Sequence, residues 1–129
     1  MQAPGRIVER PARKFVMSKG KKFDDAHATY TRHGWRLARV LARAETLPEL
    51  RAGADDDGAQ YRGAPVTESD VDAMWLSRPS AGGREAWELR LISDPPYALF
   101  ELFESDEEEE DRADVRREME ARLREYAGG

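Results

Sequence analysis

The 129-residue chain contains no cysteine, so disulfides, thiolate nucleophiles and cysteine-held zinc or iron–sulfur centres are excluded. Its only histidines are His27 and His33, which leaves few side chains able to act as a base near neutral pH. The patterns G-x-S-x-G and H-E-x-x-H are missing, as is a glycine-rich phosphate loop, and with them the commonest hydrolase and nucleotide-binding signatures. No run of about 18 apolar residues occurs, and the opening MQAPGRIVERPARKFV lacks the apolar stretch of a secretory signal. A soluble, cytoplasmic protein with no membrane contact and no cofactor is expected. Asparagine is absent, isoleucine occurs only at Ile7 and Ile92, and no lysine follows Lys22. We read this as the codon bias of a GC-rich, bacterial genome, which makes the choice of arginine over lysine weak evidence for guanidinium chemistry.

Charge is what the chain has in quantity. Charged residues make up 36% and apolar residues 40%, so the core must be modest and part of the chain exposed. The net charge of −5 conceals a division: residues 1–51 carry 12 Lys and Arg against 5 Asp and Glu, and residues 52–129 carry 9 against 21. A basic first half (+7) and an acidic second half (−12) either face different partners or attract each other, within the chain or between copies.

Residues 1–22 hold Pro4, Gly5, Pro11 and Gly20 among seven basic residues and one acid, the composition of a flexible basic arm. Residues 23–129 then read as one α+β domain. From Phe23 a helical period gathers Phe23, Ala26, Tyr30, His33, Gly34, Leu37, Val40, Leu41 and Ala44 on one arc, so a long helix is predicted up to Pro48. On that wheel Arg32, Arg36, Arg39 and Arg43 share the opposite face. Trp35 stands beside them, exposed unless Gly34 breaks the helix.

The stretch 52–65, AGADDDGAQYRGAP, is predicted to be a loop. Beyond it VTESDVDAMWLSR, EAWELRLIS and YALFELFE, separated by PSAGGR and DPP, read as a three-stranded antiparallel meander. Trp87, Leu89 and Leu91 alternate with Glu88 and Arg90, as in a sheet with one buried face. The C-terminal segment predicts a helix with acids at its positive end, and Val115, Met119, Leu123 and Tyr126 form its apolar stripe. The expected fold is a small sheet of about three strands packed by a long N-terminal helix and a C-terminal helix.

The candidate interaction residues are therefore Arg32, Trp35, Arg36, Arg39 and Arg43. Guanidinium groups at one-turn spacing suit a polyanion, and an exposed indole among them suits a protein pocket or a stacked base. His27 and His33 lie about 120° apart on a helix, which argues against a shared metal. The acids Asp106 to Asp111 lack the interspersed glycine of a calcium loop and read as a solvated helix entrance. The functional expectation is a non-enzymatic protein-interaction module, such as an adaptor, an inhibitor or an immunity- or antitoxin-like protein, that masks the surface of an unknown protein partner or of a second copy. The alternative is a nucleic-acid-associated protein using the basic arm and the arginine face. An enzyme with His27 or His33 as its base comes third.

Overall fold

In the computed structural model, which describes residues 18–52 and 60–128, Ser18 opens the first helix by accepting a hydrogen bond from the Lys21 amide at 3.2 Å. Helix α1, Lys19–Arg32, then stops well short of the predicted length. His33 is its cap, Gly34 has φ +86°, and the amides of Gly34 and Trp35 bond back to the carbonyls of Thr31 and Tyr30, both at 3.0 Å. This is a Schellman motif, completed by its usual apolar contact, here Trp35 edge-on to Tyr30. The long helix expected to reach Pro48 is thereby corrected: residues 36–42 form a strand. Of the basic arm, residues 1–17 lie outside the described residues, and Lys19 to Lys22 form the first turn of α1.

The remaining elements are β1 Arg36–Ala42, α2 Leu47–Ala52, β2 Gln60–Tyr61, β3 Ala64–Glu68, β4 Ala73–Pro79, β5 Glu85–Leu91, β6 Tyr97–Phe103 and α3 Glu109–Gly128. They build one six-stranded sheet in the order β2-β3-β1-β4-β5-β6, in place of the three strands expected. The meander read from the sequence is β4, β5 and β6; β1 comes from the segment read as helix, and β2 and β3 come largely from the segment read as loop. The sheet is mixed, because β1 and β3 run parallel with Val40 opposite Val66, while the other neighbours are antiparallel. Residues 53–59 of the loop lie outside the described residues. A two-residue turn joins β2 to β3, with Arg62 at φ +50° and Gly63 at φ +86°, the left-handed pair that a tight hairpin turn requires.

Both faces of the sheet are covered. On one, α1 and α2 bury Phe23, Ala26 and Leu50 against Val40, Ala42, Met74, Leu76 and Ile92. On the other, α3 buries Met119 and Leu123 against Leu41, Ala73, Trp75, Leu89 and Leu91. This sidedness makes β4 buried from Ala73 through Ser77, whereas one solvated face was expected. The apolar stripe of α3 does dock on the sheet as its period predicts, and Tyr126 at its end stacks on Tyr97 of β6 with centroids 3.7 Å apart. None of the described helices is long and apolar enough to cross a membrane.

The cap at Gly34 gives a test with opposite signs for the two readings. Nothing approaches within 4 Å of a Cβ built there, so Gly34→Ala adds backbone strain without a clash and should lower stability by about 1 kcal/mol. A glycine inside a helix would behave the other way and gain about 1 kcal/mol on becoming alanine. Chemical denaturation of the variant reads the sign directly.

Candidate interaction surface

The structure disperses the five residues that the sequence placed around one helix. Arg32 ends α1, exposed; Arg36 starts β1, also exposed. Arg39, further along β1, donates to the Thr67 hydroxyl at 2.9 Å and lines a shallow groove with Trp75, Trp87 and Arg116 on the α3 side. Arg43 follows the strand and pairs with Glu45 at 2.8 Å. The predicted arginine stripe on a helix does not exist. The acidic run does not face these arginines either: it supplies the first turn of α3, where Glu109 pairs with Arg116 and the Glu107 carbonyl accepts from Arg112.

Trp35 sits at the turn between α1 and β1, half-buried against the α1-side core. Its ring meets Tyr30 at 5.9 Å and Phe100 of β6 at 6.5 Å, edge-on to both, and the Arg78 guanidinium lies 4.7 Å over its face. Arg78 is held there by donating to the His33 carbonyl at 2.8 Å, so the α1 cap and the end of β4 fix the indole together. The row Tyr30, Trp35, Phe100 crosses the sheet to its β6 edge. It ends on Phe100, which is 58% exposed and, among the described residues, the most exposed of the large apolar side chains.

Below this row, Glu88 and Arg90 of β5 face the same side. Glu88 accepts the Tyr30 hydroxyl, and the Arg90 guanidinium lies 5.8 Å from the Tyr30 ring. Burial, and then the hydrogen bond to Glu88, push the Tyr30 phenol up to about 12. The patch is thus an apolar strip flanked by one acid and two arginines, a composition suited to a protein surface. Sequence reasoning found Trp35 and missed Tyr30, Arg78 and Phe100. The alternation in YALFELF places Ala98, Phe100 and Leu102 on one face, but only the tertiary structure shows that α1 stops short of covering Phe100.

A second polar cluster joins α1 to β2. Tyr61 donates to Asp24, Arg62 donates to the Asp24 carboxylate and to the Tyr61 hydroxyl, each at 3.2 Å, and His27 stands edge-on to the Tyr61 ring. Burial raises the Asp24 carboxyl, but the hydrogen bonds from Tyr61 and Arg62 outweigh it and hold the group below its ordinary value. Burial, followed by the charge of Arg62, lowers His27. Tyr61 is pushed up to about 12 by burial and by its bond to Asp24. These groups satisfy one another and latch the β2–β3 hairpin onto α1. His33 bonds instead to the Thr29 carbonyl at 2.8 Å, and among the described residues no group of three or more acids and histidines converges as metal ligands would.

The two phenols set an alkaline limit. A phenol whose pKa rises on folding stabilises the native state below its unfolded value of 10.0 and loses that contribution as pH climbs toward about 12. Unfolding free energy should therefore fall between pH 10 and 12. Tyr61→Phe should flatten that fall, as denaturant midpoints measured across the range will show.

No protein-family model matches the chain, and comparison with curated proteins and with solved structures finds no match.

Proposed function

We propose that the protein is a non-enzymatic interaction module, of the adaptor, inhibitor, immunity- or antitoxin-like kind, that works in the bacterial cytoplasm by covering a partner's surface. The observation that carries this reading is Phe100, a phenyl ring 58% exposed at the end of an ordered aromatic row. With the half-buried Trp35 and Tyr30 behind it the ring forms a contiguous apolar strip, and such a strip, unlike a single exposed side chain, marks an interaction surface. A rigid aromatic centre with arginines beside it is the usual composition of an energetic interface centre. Trp35 keeps its place in the reading, as the buttress behind Phe100 rather than as a free indole. Arg78 and Arg90 are the cations beside the row, whereas the arginines read from the sequence are scattered, with Arg39 on the α3 side of the sheet and Arg43 paired with Glu45 beyond β1. The dispersal of Arg32, Arg36, Arg39 and Arg43 removes one of the two supports of the nucleic-acid alternative; the other is the basic arm, of which residues 1–17 lie outside the described residues.

Photo-cross-linking tests the reading. A benzophenone side chain at position 100 should capture a protein in cells of the source organism, whereas the same group at exposed Glu118 on the α3 surface should not; no adduct from position 100 would refute it. Substitution separates binding from folding. Phe100→Ala should leave the melting temperature nearly unchanged and weaken association by on the order of 2 kcal/mol. Trp35→Ala removes a half-buried ring and should cost about 2 to 3 kcal/mol of stability as well.

A further inference from the structure

The two edges of the sheet are protected very differently. One ends in β2, only two residues long, a length too short to template another strand. The other ends in β6, seven residues of sequence YALFELF, with no proline, no lysine or arginine, and an unbroken register along β5. Among the described residues nothing pairs with its outer side.

The hydrogen-bonding phase of that edge follows from its neighbours. The bonds Ile92 N–H to Asp72 O at 2.9 Å and Ser80 N–H to Arg84 O at 2.8 Å mark the even-numbered residues of β5 as those bonded to β4. Antiparallel alternation then turns Glu85, Trp87, Leu89 and Leu91 toward β6, where their partners are Phe103, Glu101, Leu99 and Tyr97. The N–H and C=O groups of Ala98, Phe100 and Leu102 consequently point outward.

We propose that β6 pairs with β6 of a second copy, antiparallel about a two-fold axis at Phe100. The proposal rests on the interaction-module reading and names the partner. Centred there, Ala98 faces Leu102 of the other copy and Phe100 faces its counterpart, so all three outward-facing residues exchange both backbone hydrogen bonds. The edge is self-complementary in its side chains too. Its one charge, Glu101, falls opposite Leu99, and no like charges stand directly across the seam. On the α1 side the two Phe100 rings meet between the two Trp35 rings, joining both aromatic rows and covering the exposed Phe100 ring of each copy. A two-fold pairing closes on itself and consumes both open edges, which a head-to-tail contact would leave exposed.

The test uses the purified full chain and its association constant by analytical ultracentrifugation. Wild type should form a dimer at micromolar concentration. Ala98→Pro removes an outward N–H and leaves the bonds to β5 in place, and it should weaken dimerisation at least about 100-fold with an unchanged circular dichroism spectrum. The register is tested by charge. Phe100→Lys and Phe100→Glu should each be monomeric because like charges meet at the axis, and an equimolar mixture should recover a heterodimer. A wild type monomeric at every concentration, a dimer indifferent to Ala98→Pro, or a lysine–glutamate mixture that stays monomeric would each overturn self-pairing. Capture of a different protein from position 100 in cells, with the purified chain monomeric, would end self-pairing and leave the interaction-module reading standing. The absence of any adduct from that position in cells would count against the reading itself.

Discussion

The left-handed turn at Gly34 is the constraint on which the remaining structure depends. With the chain reversed there, residues 36–42 become the strand between β3 and β4, parallel to the first and antiparallel to the second. Were the helix to continue, the sheet would lose this strand, and the β2–β3 hairpin would have nothing to pair with. The same two backbone bonds that end α1 bring Trp35 against Tyr30, so the aromatic row is a by-product of the cap. Fold and candidate surface have one local cause.

Why the sequence conceals this is instructive. In β1 the register against β4 shifts between Leu37 and Arg39, a bulge that inserts one extra residue. Leu37 and Val40 therefore share the α1 face at a spacing of three, and Leu41 beside them is buried on the other face. A spacing of three and then one is also the mark of a helix, and arginine, leucine and alanine favour that reading. The legible parts are those with clean periods. Trp87, Leu89 and Leu91 alternate as strand residues, and Val115, Met119 and Leu123 repeat as a helical stripe, and both appear in the structure as read. The local signal that could have corrected α1 was present as well, an apolar Tyr30 four residues before a glycine and a tryptophan directly after it, the spacing of a Schellman cap. Phe100 and Arg78 offered no such signal, because exposure at a sheet edge follows from strand order.

The division of charge is partly resolved inside the fold. Asp72 is 3% exposed at the entrance to β4, where it accepts the Arg43 amide at 2.9 Å and an ion pair from Lys19 at 3.3 Å. Lys19 also donates to the Ile92 carbonyl at 3.0 Å, which ties the first turn of α1 to the strand ends across the sheet. Lys22 reaches Asp94 at 3.4 Å, and Arg62 of the acidic half reaches back to Asp24 at 3.2 Å. The exposed pairs contribute little each, since solvent screens them. Asp72 differs, because a buried carboxylate without its partners would carry an uncompensated desolvation cost. The attraction between basic and acidic halves thus acts within the chain at the start of α1.

The acidic excess that remains is densest in residues 104–128, α3 and the turn leading into it, where 11 Asp and Glu stand against 5 Arg; Arg116 pairs with Glu109 and Arg117 with Asp114, while Arg112 reaches Glu85 of β5 and Arg124 reaches Asp70. That helix covers the face of the sheet opposite Trp35. The aromatic row therefore lies on the side away from α3, with Arg78 and Arg90 as its nearest cations. Two copies approaching through their acidic helices would repel each other, whereas an approach through β6 brings together an edge that holds one carboxylate in seven residues. Charge distribution and strand order thus favour the same edge for association. The physical reason is common to both: α1 ends early enough to leave Phe100 uncovered, and α3 keeps its acids on the far side of the sheet.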